Sequence, residues 1–260
     1  MSNMKIISVA NNKGGVGKTT TVLNLAAELG KLGKTVLLVD LDPQASLTVY
    51  LRFDPTSFTK NTYHLMTRKC SAKEVVVQTA LENVDLIPAS IDLSAAEIEI
   101  CSQINREHIL SEKLGDLAPY YDYAIIDNMP SLGVFMINSF MASDYIIVPV
   151  EPSFLSYKGL EIIIDTIGEM KRYNPRLKFL GTIITMFDPR TQHARMIMEK
   201  IKDNFPFLGV VIKRSIKFSN AAFTGVPISD YAEEKFAGSN GYKKLAEEVE
   251  RIVSDEKQAL

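Results

Sequence analysis

The sequence predicts an α/β protein, a doubly wound, mostly parallel β-sheet flanked by helices and built around a phosphate-binding loop. Three observations carry that expectation. Runs of β-branched and leucine residues, such as TVLLVD at 35–40, alternate with segments of helical apolar spacing, which is how a parallel sheet covered on both faces is written. The stretch NNKGGVGKTTT at 11–21 follows the apolar run Ile6, Ile7 and Val9 and precedes a helical segment. A strand feeding a glycine-rich turn feeding a helix is a phosphate site. Aspartates close two of the strand runs, so carboxylates fall at the carboxyl edge of the sheet, where such folds bind ligands.

In chain order, the first strand covers 6–9 and the first helix 20–32, with Val22, Leu25, Ala26, Leu29 and Leu32 in helical phase and Gly33 as the stop. The strand at 35–40 delivers Asp40 and Asp42 to its end. Further strands are expected at 84–87, 124–127, 145–150, 180–186 and 210–212. The irregular stretch 50–62 reads as a surface loop. Within 90–114, Leu93, Ala96, Ile100 and Ile104 keep helical phase, as a packing helix would. Residues 241–254 carry Leu245, Val249, Ile252 and Val253 on one stripe with Lys and Glu opposite, and should dock on the sheet as a last amphipathic helix.

At 260 residues and 46% hydrophobic content, one large core is affordable, and residues 1–260 read as a single domain. A net charge of −2 excludes a generally basic nucleic-acid binder, so any DNA contact must come from a local patch. Cys70 and Cys101 are too few for a disulfide framework and lack CxxC spacing; with no secretory signal they read as reduced thiols of a cytoplasmic protein. No apolar run approaches the roughly 18 residues of a membrane span, so no membrane partner is expected.

The loop chemistry follows from residue type. Gly14, Gly15 and Gly17 let the backbone curl and aim the N–H groups of residues 13–20, Val16 and Thr20 included, at phosphate oxygens. Lys18 reaches the β and γ phosphates, and Thr19 offers a hard oxygen to Mg2+. Asn12 stands where the general pattern GxxxxGK[ST] has its first glycine, and Lys13 is gained beside it. The loop thereby resembles the deviant Walker A motif of the ParA/MinD/nitrogenase iron protein superfamily. That resemblance implies that Lys13 crosses a dimer interface to the partner's nucleotide, making ATP binding and dimerisation one event. Asp127, ending YDYAIID, fits a Walker B carboxylate that holds Mg2+ directly or through water, although an aspartate there also serves as a helix cap. Asp42, in VDLDPQAS, is the candidate to orient the attacking water, with Asp40 supporting the Mg2+ shell; a plain turn before Pro43 would use the same residues.

LLVDLDPQ, YDYAIIDNMPSLG, ASDYIIVPV, LIPASIDLSAAEIEI, TMFDPRT and IKRSIKFSNAAFTGVPI together resemble the ParA/Soj branch of partition ATPases over nearly the whole chain. The resemblance implies an ATP-dependent, dimerising ATPase that binds DNA without sequence preference, is stimulated by a ParB-like partner protein and associates with the nucleoid. By it, Asp42 matches the hydrolytic aspartate and Gly14 the glycine whose small size permits dimer closure. Two departures stand out. Asn128, Met129 and Pro130 replace the usual cysteine or alanine followed by two prolines, and Ile212, Lys213, Arg214 and Ser215 replace the adenine-side isoleucine, proline, arginine and asparagine, leaving Lys213 and Ser215 to contact the nucleotide. Arg190, Lys213, Arg214 and Lys217 fall at or beside positions where ParA-like dimers present basic residues to DNA phosphates; each also reads as ordinary solvated charge. A MinD-like membrane cycler needs a basic amphipathic tail, which the mixed to acidic AEEVERIVSDEKQAL does not supply. A relative that positions other cargo on the nucleoid fits the same residues.

Overall fold

The computed structural model describes residues 4–232 and 236–258. Strand β1 (Lys5–Val9) enters the glycine-rich loop, which opens into helix α1 (Lys18–Lys31). Then come β2 (Val36–Leu41), the short helices α2 (Ser46–Tyr50) and α3 (Thr62–Met66), and strands β3 (Val77–Gln78) and β4 (Val84–Ile87). Helices α4 (Leu93–Glu99) and α5 (Ile109–Gly115) precede β5 (Tyr123–Asn128), α6 (Val134–Ala142), β6 (Tyr145–Val150) and α7 (Phe154–Met170). The chain continues through β7 (Lys178–Phe187), α8 (Gln192–Asn204) and β8 (Phe207–Lys213), and ends with α9 (Ile216–Thr224), α10 (Ile228–Tyr231) and α11 (Ala237–Gln258).

All eight strands join one sheet in the order β3-β4-β2-β5-β1-β6-β7-β8. Every neighbouring pair is parallel except β3 with β4. The two-residue β3 has too little pattern to be legible in the sequence. Strands β2, β5 and β6 are buried at every position, the signature of a sheet covered on both faces. One face packs on α1 and α11 through Val22, Leu25, Leu29, Leu245 and Val249. The opposite face carries α3 to α6 around Leu37, Val39 and Ile126, and α7 and α8 around Ile146, Val148 and Ile184. The chain winds one way from β1 to β2 and the other way from β1 to β6, so a crevice opens at the carboxyl end of β1, between β5 and β6.

The expected helix within 90–114 is interrupted. Helix α4 ends in a 3-10 turn at Ile100–Ser102, and Asn105 adopts φ 56° before a second turn leads into α5. Ile104 is consequently exposed rather than packed. A left-handed residue cannot continue a right-handed helix, so the apolar phase outlived the helix that it implied.

Candidate nucleotide-binding site

The loop at the end of β1 is held from several sides. Asn11 is buried, its amide nitrogen donating to the Pro149 carbonyl at 2.8 Å and its amide oxygen accepting from the Lys13 backbone N–H at 2.9 Å. From β7, the Thr185 hydroxyl donates to the Val16 carbonyl at 2.8 Å. Gly15 and Gly17 have φ of 72° and 87°, the left-handed region where any side chain is strained. Gly14 is different, since a Cβ there would meet only Pro130 Cγ at 4.0 Å; nothing within this protomer requires a glycine. Asn12 leans on α7, where a Cβ on Gly159 would lie 2.9 Å from its amide oxygen. The missing first glycine is thus replaced by a side chain that uses the bare backbone of another helix.

Beneath the loop lie the carboxylates. Asp127 on β5 pairs in register with Asp40 on β2, and both are buried. Asp40 is satisfied: Oδ2 accepts from the Thr48 backbone N–H and hydroxyl at 2.9 and 2.7 Å, and Oδ1 from the Asp42 N–H at 3.3 Å. It therefore shapes the loop after β2 and supports its neighbours. Asp42 is half-buried, and its Oδ1 accepts from the Gln44 N–H at 2.9 Å. The turn before Pro43 and the presentation of Asp42 at the crevice are the same local structure. Both oxygens of Asp127 are buried without a geometrically sound hydrogen bond, although the Thr19 hydroxyl lies close enough to act on them.

Burial, and then the neighbouring Asp40, push the Asp127 carboxyl well above the ordinary range. Burial also raises Asp40 to about 6 against the hydrogen bonds from Thr48. Lys18, buried and donating to the Lys13 carbonyl at 3.2 Å, is pulled down by burial while Asp127 and Asp42 oppose that shift. An orphaned buried carboxylate beside a threonine hydroxyl and a second carboxylate fits a hard divalent cation, which offsets the cost of the buried charge.

Asn128 ends β5 with a role that its departure from the family pattern did not disclose. Its amide nitrogen donates to the Ser8 hydroxyl at 2.8 Å and the Val9 carbonyl at 3.1 Å, and Ser8 shares a 2.7 Å hydrogen bond with Ser139 on α6. The strand carrying Asp127 is thereby tied to the strand that launches the loop. On the other side of Gly17 and Thr20, a cavity is lined by Tyr50, Thr185, Met186, Phe218, Tyr242, Lys213 and Ser215. Ser215 caps α9, its hydroxyl accepting from the Lys217 N–H at 3.2 Å. The aromatic walls suit a flat ring next to a phosphate loop.

The basic candidates gather where β7, β8 and α9 meet, but most already have partners. Arg190 pairs with Asp188 through two side-chain hydrogen bonds of 2.9 and 2.7 Å. Arg214 reaches Glu151 at 2.7 Å, and the Lys217 ammonium lies 4.8 Å from the Phe236 ring centre. Lys213 is exposed. Lys13 turns back onto its own protomer, donating to Glu151 Oε2 and to the Ser156 hydroxyl, both at 3.1 Å.

Asn11, Thr185, Gly159 and Glu151 were not singled out from sequence. The segment TMFDPRT begins at Thr185, so a signal existed there; Asn11 and Pro149 lie 138 residues apart, and nothing local announces such a contact.

A doubly wound sheet, a glycine loop at its switch point and converging aspartates define a P-loop nucleotide-binding protein. The chain matches the AAA_31 family, described as an AAA domain, over residues 4–179. It is 38% identical over 248 residues to the sporulation initiation inhibitor protein Soj of Bacillus subtilis, covering 94% of this chain and 98% of that one. It is 35% identical over 251 residues to the chromosome partitioning protein ParA of Caulobacter vibrioides, covering 95% and 94%. Among solved structures, cobyrinic acid a,c-diamide synthase from Mycobacterium smegmatis with bound ADP and magnesium superposes with a TM-score of 0.83 at 34% identity, covering 94% of this chain and 93% of that one. The chain belongs to the ParA/Soj family of partition ATPases.

Proposed function

We propose that the protein is a Mg2+-dependent ATPase that dimerises on ATP, binds DNA without sequence preference and partitions plasmid or chromosome cargo, reset when a ParB-like partner stimulates hydrolysis. The observation that carries the ATPase reading is Asp127, a buried carboxylate with orphaned oxygens beside Thr19, under a loop shaped by Gly15 and Gly17. Backbone N–H groups of the loop and the α1 N-terminus bind the phosphates. Lys18 swings from the Lys13 carbonyl to the β and γ oxygens. Thr19 and Asp127 would hold Mg2+, which would supply charge neutralisation for phosphoryl transfer. Asp42 orients the attacking water, and Asp40 fixes the segment that carries it. Lys213 and Ser215 border the base.

Dimerisation is supported by Lys13 and by Gly14, whose lack of a side chain has no reason inside the protomer. Sequence-independent DNA binding rests on Arg190, Lys213, Arg214 and Lys217 and on the family membership. Among the described residues no helix is long and apolar enough to cross a membrane.

A second reading has its own support, because the 34% identical neighbour is described as a diamide synthase. It would make ATP cleavage serve amide formation on a carboxylated substrate. The two part in one experiment: phosphate release with and without DNA and a partner protein, for the wild type and Lys18→Ala. The partition reading expects slow release that the partner and DNA raise and that Lys18→Ala abolishes; release that responds only to an amide-forming substrate would overturn it.

A further inference from the structure

Glu151, just past the end of β6, is a shared anion. One carboxylate oxygen accepts from Lys13 at 3.1 Å and the other from Arg214 at 2.7 Å, and the Ser156 hydroxyl completes the seat of Lys13. Lys13 belongs to the glycine loop, Arg214 follows the last residue of β8 and Ser156 lies in the first turn of α7. The glycine loop and the residue after β8 meet on the Glu151 carboxylate, while α7 seats Lys13 through Ser156. The side chains of Lys13, Glu151 and Arg214 are 36%, 26% and 60% exposed, so each pair is only modestly stabilising and can exchange.

We infer that Glu151 holds Lys13 in cis until nucleotide arrives, and that Arg214 is the spare counter-ion that lets Lys13 leave. The inference rests on the reading that Lys13 must depart to meet a nucleotide's phosphates. If Glu151 had Lys13 alone, that departure would leave a half-buried carboxylate uncompensated, which is costly. Arg214 on the other oxygen removes the cost. It also weakens the hold on Lys13 beforehand, because two cations share one charge. Arg214 therefore acts through Glu151 on the loop, in addition to whatever phosphate it meets outside. The sign follows directly. Removing the carboxylate charge frees Lys13, whereas removing Arg214 concentrates the charge on Lys13 and retains it.

Two readouts test this on the full chain. The first is the acetylation rate of Lys13 by N-acetoxysuccinimide in the nucleotide-free protein, read by peptide mass spectrometry, which needs no dimer. The second is the ATP concentration for half-maximal dimerisation by light scattering. Glu151→Gln keeps shape and hydrogen bonding but not charge; it should raise the Lys13 labelling rate and lower the ATP requirement, each about fivefold, the scale of one partly exposed ion pair. Arg214→Ala should move both the opposite way, and Glu151→Gln/Arg214→Ala should match Glu151→Gln alone. A purely structural or DNA-contacting Arg214 would not lose its effect on Lys13 in the Glu151→Gln background. Unchanged Lys13 labelling in Glu151→Gln, or an Arg214→Ala effect that persists in the double variant, would overturn the inference. A wild type that never dimerises with ATP would overturn the switch reading instead, and the labelling rates would still decide the clamp.

Discussion

At the residue scale the site divides into groups that the sequence displayed and groups that only folding brings in. Asp42 lies just past a strand end and precedes a proline, and the structure sets it half-buried with one oxygen accepting within its own turn. Asp42→Ala should bind ATP with near-wild-type affinity yet turn it over at least about a hundredfold more slowly, since phosphoryl transfer depends on a positioned nucleophile. Single-turnover kinetics beside equilibrium nucleotide binding check this, and retained turnover would remove Asp42 from the role. Asp127→Asn makes a different prediction. Neutralising an orphaned buried carboxylate relieves its desolvation, so nucleotide-free stability should rise by about 1–3 kcal/mol while Mg2+-dependent ATP affinity falls. Denaturant midpoints with and without Mg-ATP separate the two effects. The loop glycines, Lys18 and the aspartates were legible because their chemistry demands fixed spacing. Thr185 and Glu151 were not, because their contacts join strands more than a hundred residues from the loop, 169 in the case of Thr185 and Val16.

At the scale of elements, β-branched runs and helical stripes located seven of the eight strands seen among the described residues and the first and last helices, the clearest being β2, β5 and β6, which are buried on both faces. What the pattern lacked were close approaches. Helix α1 passes so near the connection before β4 that a Cβ on Gly30 would sit 2.2 Å from the Glu82 carbonyl oxygen and 3.2 Å from Val84 Cγ2. Asn83 also donates to the Gly30 carbonyl at 3.2 Å. In isolation a helix gains about 1 kcal/mol from glycine to alanine. Here the obstacle is backbone that cannot rotate away, and overpacking of about 1–3 kcal/mol prevails. Gly30→Ala should therefore lower the denaturant midpoint, and ATP turnover per folded molecule should be unchanged because Gly30 lies at the far end of α1 from the loop. A stabilised variant would show that the helix stands further from the sheet than described.

At the scale of the whole molecule, α11 closes the face opposite α7 and α8 and ties the chain end back to the sheet. Tyr145 donates to Glu256 at 2.5 Å, Tyr123 to Glu250, and Tyr242 is fully buried beside the Thr21 hydroxyl. Burial pushes Tyr242 up to about 12. Its folded-state value lies above that of the unfolded chain, so the stability it contributes is complete below about pH 10 and is lost as pH rises through about 12. From about pH 9.5 to 11, Tyr242→Phe should lose about 1 kcal/mol less than the wild type, read from denaturant midpoints. Equal losses would place Tyr242 in water. The doubly wound order was legible from alternation alone; which basic groups are free was not, because Glu151 meets Arg214 only once the strands are aligned, and the turn after β7 folds Arg190 onto Asp188. With a net charge of −2, one protomer has little pull on DNA, while in the proposed dimer two basic faces brought together would neutralise about twice as many phosphates and steepen the salt dependence by about 0.9 per added contact. In the proposed function nucleotide gates this assembly through the loop. The measurement that tests it most directly is DNA retention against salt with ATP, with ADP and without nucleotide, paired with light scattering, for the wild type and Lys13→Ala. Tight, steeply salt-dependent retention by an ATP dimer alone is expected, with Lys13→Ala losing dimer and DNA together; equal retention in all three nucleotide states, or retention by monomeric Lys13→Ala, would show that nucleotide does not gate DNA binding through the loop.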